Sequence, residues 1–221
     1  MHDQITFPEF TTLLKSGLAR PLPGQSAQFQ MAPLARRQPK AASVESKACR
    51  EAAVLALFYP CSKGRPKLLL TVRPEALNNH AGQVAFPGGR REPGEELLVT
   101  ALRETEEEVF IARDKVSILG ELSSLFVPPS NFCVYPYVGV MNEKPDMSVQ
   151  SDEVASMFGV RASGLVSPES REVDQMTLSG KARPIPYFSF AGKRVWGATA
   201  MMMAELAAVI KPDLLELQPL V

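Results

Sequence analysis

The chain has 221 residues, enough for one domain with extensions, and its 24 lysines and arginines are balanced by 24 aspartates and glutamates. That balance excludes a global basic field of the kind that gathers nucleic acid, while leaving room for a small charged ligand. No apolar run approaches the ~20 residues of a membrane-spanning helix, and the start MHDQITFPEF has neither the basic region nor the apolar core of a secretion signal, so the expected location is the cytoplasm, away from membranes.

Residues 1–48 read as an N-terminal extension and 49–221 as the main domain. In the extension, Phe7, Phe10, Leu13, Leu14 and Leu18 recur at helical spacing, with Gly17 and Pro21 as stop signals. The Pro-, Gln- and Ala-rich run that follows reads as irregular, with Leu22, Phe29, Met31 and Leu34 as anchors for lying across the domain. The apolar stripe of the first helix either covers the core of its own chain or meets a second subunit in a homodimer. AAVLALFYP (52–60) and KLLLTVR (67–73) read as two strands joined by a turn, the first covered on both faces. GQVAFPGG (82–89) is a third short strand ending in a glycine turn. VSILGELSSLFV (116–127) and FCVYPYVGVM (132–141) are further strands, as are EVDQMTLS, PIPYFSFAG and KRVWG. ATAMMMAELAAVI (198–210) reads as a helix whose methionines fill the core. Strands with helices at distinct points predict a layered α/β architecture. Cys49, Cys61 and Cys133 are odd in number and widely spaced, and the histidines are His2 and His80. This argues against a zinc site or a disulfide framework and predicts three free thiols.

The stretch GGRREPGEELLVTALRETEEEVFI, Gly88 to Ile111, carries the chemistry. At about 100° per residue, Glu104, Glu107 and Glu108 share one helix face while Leu98, Ala101, Leu102, Thr105 and Val109 share another. Glu104 and Glu108 form an i,i+4 like-charge pair, which costs a helix roughly 0.2–0.5 kcal/mol unless something compensates. A solvated acidic face with Arg103 as its counter-ion is one reading. A hard divalent cation is the other, because carboxylate oxygens suit Mg²⁺ or Mn²⁺.

The order and spacing of Gly89, Glu95, Arg103, Glu104, Glu107, Glu108 and Ile111 resemble the Nudix box. Thr105 stands where the family usually has an aliphatic residue and Phe110 where it has glycine. Without that glycine the helix is expected to run on through Ile111 and Ala112 towards Asp114. Upstream, Leu69, Leu70, Thr71, Arg73, Leu77, His80, Gly82, Gln83, Val84, Phe86, Pro87, Gly88 and Gly89 resemble the segment carried by the coenzyme A pyrophosphatase-like branch of the family, with Asn78 where an arginine is usual. PPSNFCVYPYVG (128–139), SDEVASMF (151–158) and WGATA (196–200) extend the resemblance over roughly residues 50–210.

The resemblance implies a Nudix hydrolase domain over 49–221 with an α/β/α sandwich and a mixed sheet. It also implies metal-dependent hydrolysis of the pyrophosphate of coenzyme A or a derivative, giving 4′-phosphopantetheine and adenosine 3′,5′-bisphosphate. A broader nucleoside diphosphate pyrophosphatase acting on ADP-ribose or NADH, and a nucleotide-sensing module without catalysis, are the alternatives. The intact glutamates favour an enzyme using Mg²⁺ or Mn²⁺ on a small-molecule nucleotide. On this reading Glu104 and Glu108 are metal ligands, with Glu107 sharing a metal, the Gly89 carbonyl completing a coordination sphere and Glu95 capping the helix or taking an outer metal. Arg103 orients the carboxylates, and Glu104, Glu107 and Glu153 are the candidate bases. Arg73, His80, Gln83, Arg90 and Arg91 are the candidate substrate contacts, and Arg36 and Arg37 are further cations available to a 3′-phosphate. Each has a plainer reading: His80 closing a turn, Arg73 paired with Glu75 or a box glutamate, Glu153 solvated in a loop, and Trp196, Tyr135 and Tyr137 packing on a sheet face.

Overall fold

A computed structural model describes residues 5–37, 44, 48–75, 82–146, 149, 153–178, 180–217 and 219–220. The central element is strand β1 (Arg50–Pro60), whose side chains alternate between two cores. Ala52, Ala56 and Phe58 face one side, whereas Ala53, Leu55, Leu57 and Tyr59 face the other. A strand buried on both faces reads as a continuous apolar run, and that is how its sequence is written.

Strand β2 (Pro66–Val72) returns antiparallel to β1 through the turn at 61–65. The next two strands are short, β3 (Val84–Ala85) pairing with β2 and β4 (Gly88–Arg90) with β1, both antiparallel. The acidic stretch forms α3 (Leu97–Val109), which follows α1 (Phe7–Leu18) and α2 (Gln25–Gln28) in chain order. Strands β5 (Ser117–Glu121) and β6 (Leu125–Val127) both pair with β7 (Phe132–Val140). The single strand expected over 116–127 is thus broken at Leu122–Ser124. β7 runs parallel to β1 over nine residue pairs, Arg50 opposite Phe132 through Phe58 opposite Val140. Strand β8 (Ser156–Arg161), unforeseen in the sequence, pairs antiparallel with β2. The result is an eight-stranded mixed sheet with the path β3-β2-β1-β7-β5. After the short α4 (Ala162–Leu165), strands β9 (Arg171–Leu178), β10 (Lys181–Phe190) and β11 (Lys193–Trp196) make a separate antiparallel sheet.

Helix α3 covers one face of the large sheet, and α1 with α5 (Gly197–Ile210) covers the other. This is the expected α/β/α sandwich with a mixed sheet. Twelve residues of α5, from Thr199 to Ile210, are buried, so its lack of an amphipathic face reflects enclosure by α1, the sheet and the segments around it. Among the described residues no helix is long and apolar enough to cross a membrane.

Helix α1 starts with a capping box: Thr6 is the N-cap, and the Glu9 carboxylate accepts from both the Thr6 backbone N–H at 2.9 Å and its hydroxyl at 2.6 Å. Gly17, a stop signal in the sequence, lies inside this helix. Its role is steric, because a Cβ there would stand 2.5 Å from the Val209 carbonyl oxygen of α5. Phe7, Phe10, Leu14 and Met31 join the same core as Phe58, Leu68, Met203 and Leu206.

One fully buried carboxyl group ties these parts together. Glu205 of α5 accepts the backbone N–H groups of Gly24 and Ser123 on Oε1, both at 3.1 Å, and the Gln28 side-chain amide on Oε2 at 2.8 Å. Its hydrogen-bonding demand is met by the extension and by the break between β5 and β6.

The expectation of three free thiols is corrected. Cys49 and Cys133 form a disulfide with Cα atoms 5.7 Å apart, and Cys61 is the free cysteine. The parallel pairing of β1 with β7 brings Cys49, just before β1, beside the start of β7, across 84 positions of sequence.

Candidate active site

The site is built around the crossing of β4 and α3. Gly88 sits opposite Val54 with φ 144°, and any side chain there would strike the Ala53 carbonyl and Val54. A Cβ on Gly89 would overlap the Glu104 carboxylate. Gly88 is therefore required by close approach to β1, whereas a side chain at Gly89 would displace the Glu104 carboxylate.

Helix α3 begins at its N-cap Glu96 and ends where Phe110 takes the left-handed conformation, φ 58° and ψ 32°, with its N–H donating to the Glu106 carbonyl at 3.0 Å. The expected run-on towards Asp114 is thus corrected. Phe110 adopts the conformation that glycine usually supplies at this point and leaves its ring half exposed. Thr105, the other departure, is buried, and its hydroxyl donates to the Ala101 carbonyl at 2.7 Å, which satisfies its polar atom within the helix.

Arg103 is the hub. Its Nε and Nη2 donate to the two Glu95 oxygens at 2.8 and 3.1 Å, and its Nη1 donates to Glu104 Oε1 at 2.9 Å and Glu107 Oε2 at 3.0 Å. Glu95 also accepts from the Thr100 hydroxyl at 2.7 Å and the Glu92 N–H at 3.2 Å. The Arg103 guanidinium, with help from Thr100 and Glu92 against partial desolvation, holds the Glu95 carboxyl down at about 2. Glu95 and Arg103 stay ionised at any physiological pH, and the bidentate pair fixes the guanidinium from which Glu104 and Glu107 hang.

The acidic face is not uniform. Glu107 is well exposed, with 59% of its side-chain surface accessible, whereas Glu108 is buried at 4% and accepts the Gly88 N–H at 3.1 Å. Burial pushes the Glu108 carboxyl up to about 8; the Gly88 N–H and the Arg73 charge oppose this, and the Glu104 and Glu153 charges add to it. Burial also raises Glu104, against the pull of Arg103, with Glu107 and Glu153 contributing repulsion. Glu104 and Glu108 thus repel one another beside the Gly88–Gly89 turn, and both feel the charge of Glu153.

That donor set fits a hard divalent cation. The oxygens are carboxylate and carbonyl, and the desolvated Glu108 lacks a full counter-charge. Among the described residues no three His, Cys, Asp or Glu side chains already converge as a cage. Arg103 occupies oxygens of Glu104 and Glu107, so the fit is to an ion that keeps part of its water shell, as Mg²⁺ does.

Arg73 follows β2, its backbone N–H donates to the Gln83 carbonyl at 2.9 Å, and its buried Nε has no hydrogen-bond partner among the described residues. Arg90 is exposed, and its carbonyl accepts from Arg103 Nη2 at 3.3 Å. Arg91 is turned to the protein: Nη1 pairs with Glu51 Oε2 at 2.5 Å, and Nε donates to the Glu95 carbonyl. Glu153 lies in the turn before β8. His80 lies outside the described residues. Arg36 and Arg37 donate to the carbonyls of Phe126 and Ala32.

The model of the NUDIX domain matches residues 50–175. The chain belongs to the Nudix family. Among similar proteins, the Nudix hydrolase NudL of Photorhabdus laumondii is 39% identical over 165 residues, covering 73% of this chain and 86% of its own. Nudix hydrolase 3 of Caenorhabditis elegans is 32% identical over 166 residues, covering 68% and 69% respectively. A Nudix hydrolase crystal structure from Alicyclobacillus acidocaldarius shares the fold with a TM-score of 0.52 at 15% identity, covering 80% of this chain and 99% of that one.

Two contributors to the Nudix site escaped the sequence reading. Thr100 carries no charge to mark it, although its spacing after Glu95 puts its hydroxyl on the Glu95 carboxylate. Glu51 stands with Arg50 at the head of a strand that is apolar from Ala52 to Pro60, and an ionisable pair there is the signal that was available.

Proposed function

We propose that this Nudix protein is a metal-dependent pyrophosphohydrolase that cleaves coenzyme A or its derivatives to 4′-phosphopantetheine and adenosine 3′,5′-bisphosphate. The observation that carries this reading is the junction of two signatures at one turn. The segment from Leu69 to Gly89 runs along β2 and through β3 into the Gly88–Gly89 turn, where its Arg73 acts on Glu108 and its Gly89 abuts Glu104.

On this proposal Glu104 and Glu108 hold Mg²⁺ or Mn²⁺, with Glu107 and the Gly89 carbonyl available to complete the shell. The bound cation neutralises pyrophosphate charge and lowers the pKa of the attacking water. Arg103 and Glu95 keep Glu104 and Glu107 oriented. Arg73 supports a phosphate oxygen, with Gln83 and Arg90 beside the entry. Glu153 is the base we favour, because it is exposed and within electrostatic reach of both Glu104 and Glu108. It takes the proton of the water as the new P–O bond forms and the bridging P–O bond breaks.

The test is a substrate panel with Mg²⁺ or Mn²⁺, comparing coenzyme A, acetyl-coenzyme A, dephospho-coenzyme A, ADP-ribose and NADH, with products identified by mass. Preferred release of adenosine 3′,5′-bisphosphate from coenzyme A is the expected result. Preference for ADP-ribose or NADH would replace the substrate while keeping the metal chemistry, and binding without cleavage of any member would overturn the enzyme reading.

The raised Glu108 carboxyl adds a pH signature. In the metal-free protein it holds its proton up to about 8, whereas in the unfolded chain it ionises near about 4.3. Across that window the folded state binds more protons, so its contribution to stability is complete below the lower value and lost as pH rises through the higher one. Binding a cation there displaces the proton, so affinity grows with pH. The rise in Tm on adding Mg²⁺ should be larger at about pH 8.5 than at about pH 6. An equal or smaller rise at the higher pH would remove Glu108 from the set of ligands.

A further inference from the structure

We propose that Glu51 is a positioning residue for the metal-binding carboxylates, acting through Arg91; this rests on the metal-dependent reading above. Glu51 lies at the start of β1, 40 positions before Arg91, and is engaged with it twice. The Glu51 carbonyl accepts the Arg91 backbone N–H at 3.0 Å, and its carboxylate accepts Arg91 Nη1 at 2.5 Å. Tyr135 of β7 lies within electrostatic reach of the same carboxylate, whose charge adds to burial in raising the tyrosine.

Arg91 carries the constraint onward. Its Nε donates to the Glu95 carbonyl, at the end of the turn from β4 into α3. The Glu95 carboxylate grips Arg103 through Nε and Nη2, and Arg103 Nη1 reaches Glu104 and Glu107. A line of hydrogen bonds therefore runs from the start of the central strand, through Arg91, Glu95 and Arg103, to the Glu104 and Glu107 carboxylates.

Arg91 is an obvious candidate for a phosphate ligand. Its Nη1, Nε and backbone N–H are committed to protein acceptors, and those acceptors belong to the backbone and side chain of Glu51 and to the Glu95 carbonyl. A side chain used in this way orients the loop. Both partners are about one-third exposed, 35% for Arg91 and 34% for Glu51, so the pair sits at the rim and the core does not depend on it.

The experiment compares wild type, Glu51→Gln, Glu51→Ala, Arg91→Ala and the double variant Glu51→Ala/Arg91→Ala. Mn²⁺ binding is followed by electron paramagnetic resonance without substrate, together with kcat and KM on whichever pyrophosphate the wild type cleaves. Outer partners of metal ligands typically contribute about 10- to 100-fold in affinity or activity. Glu51→Ala and Arg91→Ala should each weaken Mn²⁺ binding and lower kcat within that range, with KM unchanged. Glu51→Gln, which keeps an acceptor for Arg91, should recover part of the loss. The double variant should be no worse than either single one, because the two residues act as a unit. A raised KM in Arg91→Ala with Mn²⁺ binding intact would make Arg91 a substrate contact and overturn the proposal. Losses that add in the double variant, or wild-type Mn²⁺ binding in Glu51→Ala, would also overturn it. If the wild type cleaves nothing, the functional reading fails while the Mn²⁺ measurement still decides this one.

Discussion

Glutamine at Glu104 or Glu108 should lower kcat by roughly a hundred- to ten-thousand-fold while leaving the protein folded, the scale expected when metal-assisted activation of water or its proton transfer is disabled. The two variants separate through their stability. Glu104 shares Arg103 with Glu95 and Glu107, so Glu104→Gln gives up one charged contact at a hub that keeps two others. Glu108 is buried with a proton of its own in the metal-free state, and glutamine keeps an oxygen for the Gly88 N–H. Glu108→Gln should therefore be at least as stable as wild type above about pH 8 without metal, and its Tm should no longer respond to Mg²⁺. Turnover near the wild-type rate in either variant, with metal present, would remove that glutamate from the reaction.

Reduction of the Cys49–Cys133 disulfide should lower stability by roughly 2–5 kcal/mol. Opening a cross-link between residues separated by 84 positions releases a long loop in the unfolded chain, for which the chain-entropy model gives about 4–5 kcal/mol. Cys133 is fully buried on β7, opposite Phe126 of β6, so the bond joins the segment entering β1 to the middle of the sheet. The measurement is denaturant unfolding with and without a dithiol reductant, in a Cys61→Ser background so that the remaining thiol cannot exchange. The pair of substitutions Cys49→Ala and Cys133→Ala should reproduce the reduced midpoint. Coincident midpoints for oxidised and reduced protein would show that the bond contributes nothing to the fold.

What could be read from the sequence was what local periodicity writes. The face of α3, the apolar run of β1 and the turn at Gly88–Gly89 follow from spacing within a few residues, and the Nudix resemblance rests on that spacing. Contacts between distant positions carry no such signal. The disulfide, the Glu51–Arg91 pair and the grip of Gln28 on Glu205 join residues separated by 84, 40 and 177 positions. Phe110 misled for a different reason. Its side chain disfavours the left-handed region, but the helix ends there nonetheless, with the ring left in solvent and Ile111 turned into the core. Gly17 misled because a glycine that ends a helix and a glycine that admits a neighbouring helix look alike in one dimension.

The line of hydrogen bonds around Glu205 bears on where this protein can be divided. The family match covers residues 50–175, yet the outer face of the large sheet is covered by α1 and α5, both outside those limits. A fragment cut at the edges of the match would keep every box glutamate and lose the covering of Phe58 and Leu68. A fragment lacking only the first 48 residues would keep α5 but strip Glu205 of Gly24 and Gln28, leaving an ionisable group in the interior with one of its three partners. The segment that the family model matches is thus smaller than the unit whose parts bury one another, and a stable catalytic fragment is expected only from the longer piece.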